Sequence, residues 1–219
     1  MTIALFFVSS CGSKSASTPD STSTTSIEKI TTTTVQATIT TMVVNGFTIA
    51  PGADLKGANL KGANLIYAHL DGANLAGADL SGADLNFSTL TKANLTGANL
   101  TGTKFKDANL TEANLSKANL MDARLSGAKL GNSNLTKANF VRADLSEATL
   151  VSANFSGADL REAKLEGANM SAATVKGANL FGAFMWGATL PDGSTFNCRV
   201  VDYCMSGEAY RYKYFPHVD

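Results

Sequence analysis

The chain has 219 residues, with 18 Lys and Arg balanced by 18 Asp and Glu and a formal net charge of zero. That balance argues against nonspecific binding to nucleic acid, which needs a basic excess, and the length allows one modest domain. No apolar run is long enough to cross a bilayer as a helix.

The chain opens with a short apolar run, Met1 to Val8, followed by Ser9-Ser10-Cys11-Gly12. Val8-Ser9-Ser10-Cys11 resembles a bacterial lipobox, although the positively charged segment that normally precedes one is missing. The resemblance implies that residues 1–10 are a signal peptide, that cleavage precedes Cys11, and that the Cys11 thiol carries a lipid anchor. Residues 11–42 are rich in Ser and Thr with little apolar content, a composition that cannot bury a core and reads as a tether. Overlapping its end, Thr31 to Val44 is rich in β-branched residues and is expected to add an irregular strand at the open end of the block that begins at Ala53. Residues 43–52 contain Asn45-Gly46 and Pro51-Gly52 and read as a lead-in turn and N-terminal cap.

From Ala53 to Leu190 one five-residue unit recurs 28 times without a break in register. Its third position is Leu except at Phe105, Phe140, Phe155, Met170, Val175 and Met185, and its first is Ala except at Ser88, Thr103 and Ser133. Apolar residues spaced alternately two and three apart scatter around a helix of 3.6 residues per turn, so no helical stripe results. A spacing of two puts Ala and Leu on one side of an extended segment, and the three-residue step needs a bend. The fifth position is often Gly, as at Gly57, Gly62 and Gly72, where a turn with positive φ avoids a Cβ clash. Lys92, Lys117, Lys137 and Arg142 also occupy it, which predicts that the turns are not all of one type. Asn or Asp at the second position, as at Asn59 and Asp79, suits bonding to nearby turn backbone.

This A-[N/D]-L-x-x tandem resembles the pentapeptide-repeat family. The resemblance covers about two thirds of the chain and implies an all-β fold, a right-handed quadrilateral β-helix with four units per coil and Leu at the centre of each face. Four units per coil divides 28 units into about seven coils. The central side chains of a single coil cannot offset the entropy of ordering its backbone, so stacking must supply the rest. Some members protect DNA gyrase by presenting an acidic, DNA-like rod. Between Ala53 and Leu190 this chain carries 13 basic and 12 acidic side chains, which disfavours that mimicry. A cytoplasmic regulator of a DNA-processing enzyme remains the alternative reading.

Counting in twenties places Phe47, Tyr67 and Phe87 one coil apart on one corner, as a candidate contact strip for a partner or glycan, or as a cap and a shield for the turns. Towards the end, Phe181, Phe184, Met185 and Trp186 enlarge the last coil before the Pro191-Asp192-Gly193 turn. They are expected to form a hydrophobic cap or, as the family suggests, a homodimer contact through Phe181, Phe184 and Trp186. Residues 191–219 read as a C-terminal cap and tail. Cys198 and Cys204 are spaced to close a small loop by a disulfide in an exported compartment; a reduced pair is the alternative. Tyr210 to Phe215 alternates aromatic and basic side chains, consistent with a strand over the last coil or an adhesive tail.

His69 and His217 have no nucleophile or ligand set by spacing, and nothing in the sequence indicates a catalytic, metal or cofactor site. The expectation is a non-enzymatic, lipid-anchored protein at the bacterial cell envelope. It would serve as an interaction scaffold or spacer, with a protein partner, a membrane contact through the anchor, and no nucleic acid.

Overall fold

The structure, a computed structural model, describes residues 42–196. It begins with an antiparallel hairpin of β1 (Met42–Val44) and β2 (Phe47–Ile49). The two-residue loop is Asn45-Gly46, with φ of 50° and 83°, the double positive φ that matches the twist of a tight hairpin. The strand expected over Thr31–Val44 is thus described only at Met42–Val44, where it is a regular hairpin arm. Met42, Val44 and Phe47 pack against the first coil, and the Asn45 Nδ2 donates to the Asn59 carbonyl at 3.0 Å.

From Asp54 to Asn169 each extended segment pairs in parallel with the segment twenty residues later, as in Asp54↔Asn74, Asn59↔Asp79, Asn64↔Asp84 and His69↔Thr89. Four units therefore make one coil, and the 28 units of the sequence stack as seven coils of a right-handed quadrilateral β-helix. The four faces are numbered by their first central residues, Leu55, Leu60, Leu65 and Leu70. All four columns point inward, and with the Ala columns beside them they form one continuous core. Three Phe widen it without reaching solvent: Phe105 is fully buried, and Phe140 and Phe155 meet with centroids 5.8 Å apart. Ser88, Thr103 and Ser133 are buried where Ala is usual, and each hydroxyl donates to a backbone carbonyl, of Leu85, Leu80 and Leu130 respectively.

One unit shows why the repeat has five residues. Ala73 N–H closes the preceding turn on Leu70 O at 3.0 Å; Asn74 N–H donates back to Ala53 O, and Leu75 and Gly77 N–H donate forward to Asn94 O and Thr96 O. The remaining donor, Ala76 N–H, reaches the Asn74 side-chain oxygen at 3.4 Å. Every backbone donor of the unit has an acceptor, which is the condition for burying so much main chain. The second-position Asn or Asp is thus a structural part, since its oxygen serves the one donor that the stacked coils leave unmatched.

The turns correct one expectation. Every fifth position from Gly57 to Gly187 has positive φ, including Lys92 (59°), Lys117 (59°), Lys137 (57°) and Arg142 (57°), so the turns are of one kind whether or not Gly is present. Each closes a four-residue turn by an N–H to carbonyl bond with positive φ at its third residue, as a type II turn requires. Each L-residue forced into the left-handed region costs about 1–2 kcal/mol. A different turn would break the twenty-residue register that pairs each coil with two neighbours, and that loss is larger.

The C-terminal end corrects another. Phe181, Phe184 and Trp186 occupy the fourth, second and fourth positions of their units, which face outward, and all three are exposed. Only Met185, at a third position, is buried. Closure comes instead from a reversal at Pro191–Ser194. Leu190 N–H donates to Ser194 O at 2.7 Å, Gly187 N–H to Phe196 O at 2.9 Å, and Phe196 N–H to Ala188 O at 2.8 Å. Phe196 is buried against the core. The returning segment supplies acceptors that a further coil would have supplied and so blunts part of the edge.

Two substitutions separate packing from turn strain. Leu110→Ala, at a fully buried centre of the stack, is expected to lower the unfolding free energy by about 2–5 kcal/mol. Ala172→Gly, at a turn with φ of 56°, is expected to raise it by about 0.5–1 kcal/mol, left-handed strain relieved less the entropy of Gly. Urea unfolding of both variants checks the pair; destabilisation by Ala172→Gly would show that the turn strain is negligible.

Candidate interaction surface

The corner that comes after the third face carries Tyr67 and Phe87. At this fifth position the side chain leaves the rod, and both residues hold it with φ near 60°. The coil register sets them one above the other, with ring centroids 5.3 Å apart and planes 19° from parallel. They remain 67% and 43% exposed, and Ile66 beside them is also exposed. Most outward positions of the coils are polar or glycine, so this apolar group stands out as a contact surface. Phe47, one coil earlier in the count, lies instead in β2, half-buried against the core. The exposed strip therefore comprises Ile66, Tyr67 and Phe87, and the hairpin has claimed Phe47 as packing.

Around the same corner, on the fourth face, the register assembles a polar cluster. Partial burial pushes the Asp71 carboxyl up, but hydrogen bonds from the Thr89 and Thr91 hydroxyls and the Thr91 N–H outweigh it, and the group lies below its ordinary range. The Thr89 hydroxyl proton is directed at Asp71, so the His69 Nδ1 at 3.2 Å must be the donor to the Thr89 oxygen. In the sequence His69 and Asp71 merely flank Leu70; counting twenty from each to Thr89 and Thr91 is the signal that joins them. The Asp71 carboxylate also replaces a missing side-chain acceptor, because Thr89 stands where Asn would normally serve the Thr91 N–H.

Other charges pair along the rod. Arg142 grips Asp122 through two bonds of 2.8 and 2.9 Å, Lys104 reaches Asp84 at 3.0 Å, and Lys92 lies 3.7 Å from Glu112. Exposed pairs of this kind add little stability. Among the described residues no group of three or more His, Cys, Asp or Glu could hold a metal ion, and no helix is long and apolar enough to cross a membrane. Cys11, Cys198, Cys204 and the Tyr210–Phe215 stretch lie outside the described residues. Phe181, Phe184 and Trp186 form a second exposed aromatic group on the last coil, on the second and third faces.

A family profile described as pentapeptide repeats matches the chain in eight copies, across residues 53–89, 78–116, 88–127, 118–157 and 150–187. Among solved structures, the chain is 33% identical to HetL from the cyanobacterium Nostoc sp. PCC 7120, a pentapeptide repeat protein involved in heterocyst differentiation regulation. That match covers 67% of this chain and 87% of HetL, with a TM-score of 0.33. It is 29% identical to a pentapeptide repeat protein from the thylakoid lumen of Arabidopsis thaliana, covering 61% and 72% of the two chains with a TM-score of 0.23. It is 20% identical to QnrB1, a plasmid-mediated fluoroquinolone resistance protein, covering 68% and 89% with a TM-score of 0.46. No curated protein sequence matches significantly.

The Asp71 cluster gives a pH signature. A carboxylate whose folded pKa is depressed contributes stability that is fully present above its unfolded value, about 3.9. That contribution is lost as pH falls through the lower folded value. Wild type is therefore expected to exceed Asp71→Asn in urea midpoint at about pH 6, with the gap narrowing below about pH 4. A gap that is the same at both pH values would mean that the ionised carboxylate contributes nothing.

Proposed function

The chain belongs to the pentapeptide-repeat family, and from that premise we propose that it is a non-enzymatic, exported and lipid-anchored spacer that presents a protein-contact surface at the bacterial cell envelope. The observation that carries the reading is the stacked, exposed Tyr67–Phe87 pair with Ile66 beside it. Aromatic side chains offer large contact area at low entropic cost and are favoured anchors in protein interfaces. A rigid rod holds such a pair in a fixed place, so binding does not also have to order it.

The lipobox-like Val8-Ser9-Ser10-Cys11 and the Ser/Thr-rich segment after it support an anchor and a tether. Export also gives Cys198 and Cys204 a compartment in which a disulfide can form. The balanced charge of the repeats supports a partner other than one that reads a DNA-like acidic surface. At the far end of the rod the exposed Phe181, Phe184 and Trp186 are the proposed contact for a second copy of the chain.

Two measurements test this reading. Metabolic palmitate labelling in a bacterial host should mark the wild-type protein and not Cys11→Ala; absence of label on both removes the anchor. In the same cells, a photo-crosslinker at position 66 should capture a protein partner, and Tyr67→Ser/Phe87→Ser should reduce that capture at least tenfold. Unchanged capture would move the contact elsewhere.

A further inference from the structure

The near-neutral total conceals an uneven distribution of charge. Of the 13 basic and 12 acidic side chains between Ala53 and Leu190, the first face and the corner that follows it take four basic and one acidic. They are Lys56, Lys117, Lys137 and Lys176, against Asp54. The other three faces together hold nine and eleven, so the first is the cationic side of the rod. All four lysines are exposed, and among the described residues none of them makes an ion pair.

The acids nearest to these lysines are engaged elsewhere. On the second face, beyond the lysine corner, Arg142 holds Asp122, Arg161 holds Asp159 at 2.7 Å, and Asp79 accepts the Ser81 N–H and the Asn99 amide. Glu162 stands in the field of Arg142 and Arg161. At the other border of the first face, Glu112 faces Lys92. What stands between the lysines is short: the fourth positions from Ala76 to Ser156 are Ala, Thr or Ser, and the fifth positions other than Lys117 and Lys137 are Gly. The Thr96, Thr136 and Ser156 hydroxyls fold back onto Oδ1 of the Asn two residues earlier. The lysines are thus the longest side chains on a flat polar face, and their ammonium groups are the first to meet a flat object. They lie at or beside one edge in coils one, four, five and seven, an irregular row that runs the length of the rod.

We propose that the first face is the side on which the rod lies against an anionic lipid bilayer. A linear polyanion carries its charges at a fixed spacing, which an irregular row does not match. Anionic lipids diffuse in the plane of the bilayer and gather under each lysine wherever it stands. Each lysine near such a surface raises the partition about fivefold. No large apolar side chain is exposed on this face, so the contact is electrostatic and stays at the level of the headgroups. The lysine corner is diagonally across the rod from the Tyr67–Phe87 corner, and a rod lying on its lysines turns the aromatic pair away from the bilayer. The inference rests on the envelope reading for the bilayer that the rod meets. An anchor and a cationic face reinforce each other, because the second contact forms at high effective concentration once the first holds.

The test is co-sedimentation of the full chain with vesicles, in a Cys11→Ala background so that no acyl chain contributes. Vesicles of phosphatidylcholine and phosphatidylglycerol in equal parts should retain the protein at low salt, above the level seen with phosphatidylcholine alone, and release it at high salt as the charges are screened. Lys117→Gln/Lys137→Gln should lower the partition about tenfold or more, with unchanged thermal melting to verify the fold. Lys106→Gln/Lys129→Gln removes the same charge from the far side of the rod and should leave binding unchanged. The proposal is overturned by equal losses in the two variants, by no preference for the anionic vesicles, or by binding to soluble long-chain polyphosphate without binding to vesicles. The anchor is read separately by the palmitate label. Label without vesicle binding removes this inference alone, and vesicle binding without label removes the anchor alone.

Discussion

The structure depends on the parallel pairing of each coil with the coil twenty residues before and after it. Leu75 N–H donating to Asn94 O, and Asn74 N–H to Ala53 O, show the two directions of that ladder in adjacent residues. A buried donor without an acceptor costs more than a made bond returns. The chain can therefore keep five-residue units only if every coil has the same pitch. The inward columns, the uniform turns and the need to close both ends are consequences of that pitch.

Uniformity constrains the backbone and frees the surface. Because fifth positions are left-handed at Glu112, Arg142 and Ser152 as well as at Gly, the turn does not dictate which side chain stands there. The outward columns can then differ from face to face with no change in the path of the chain. Aromatic rings stack at Tyr67 and Phe87, an Arg–Asp fork forms at Asp122 and Arg142, and amides align on the first face, all through the same register. The rod acts as a ruler on which residues twenty apart become neighbours.

The two ends are the irregular places, and there the solutions are local. At the start, an Asn-Gly hairpin lays Met42, Val44 and Phe47 over the first coil. At the finish, the chain folds back so that Phe196 fills the core and its backbone meets Ala188 and Gly187. Phe47 illustrates the difference between counting and packing: the count puts it in the aromatic column, yet burial against the core is worth more to an apolar ring than exposure beside Tyr67.

By itself the sequence determined the core and the outward placement of Tyr67 and Phe87, because each comes from a period, two for the side of a strand and five for the unit, while the twenty-residue coil was implied by the resemblance to the pentapeptide-repeat family and is seen in the pairing of the strands. The same period shows that Phe181, Phe184 and Trp186 stand at outward positions and Met185 at an inward one. Only the tertiary structure decided that Lys and Glu turns copy Gly turns, that Asp71 gathers Thr89 and Thr91, and that Phe196 closes the end. Those features depend on which donor lacks an acceptor and which apolar surface lacks cover once the coils are stacked. Such competition has no periodic signature, since it is settled between residues that become neighbours only through the fold.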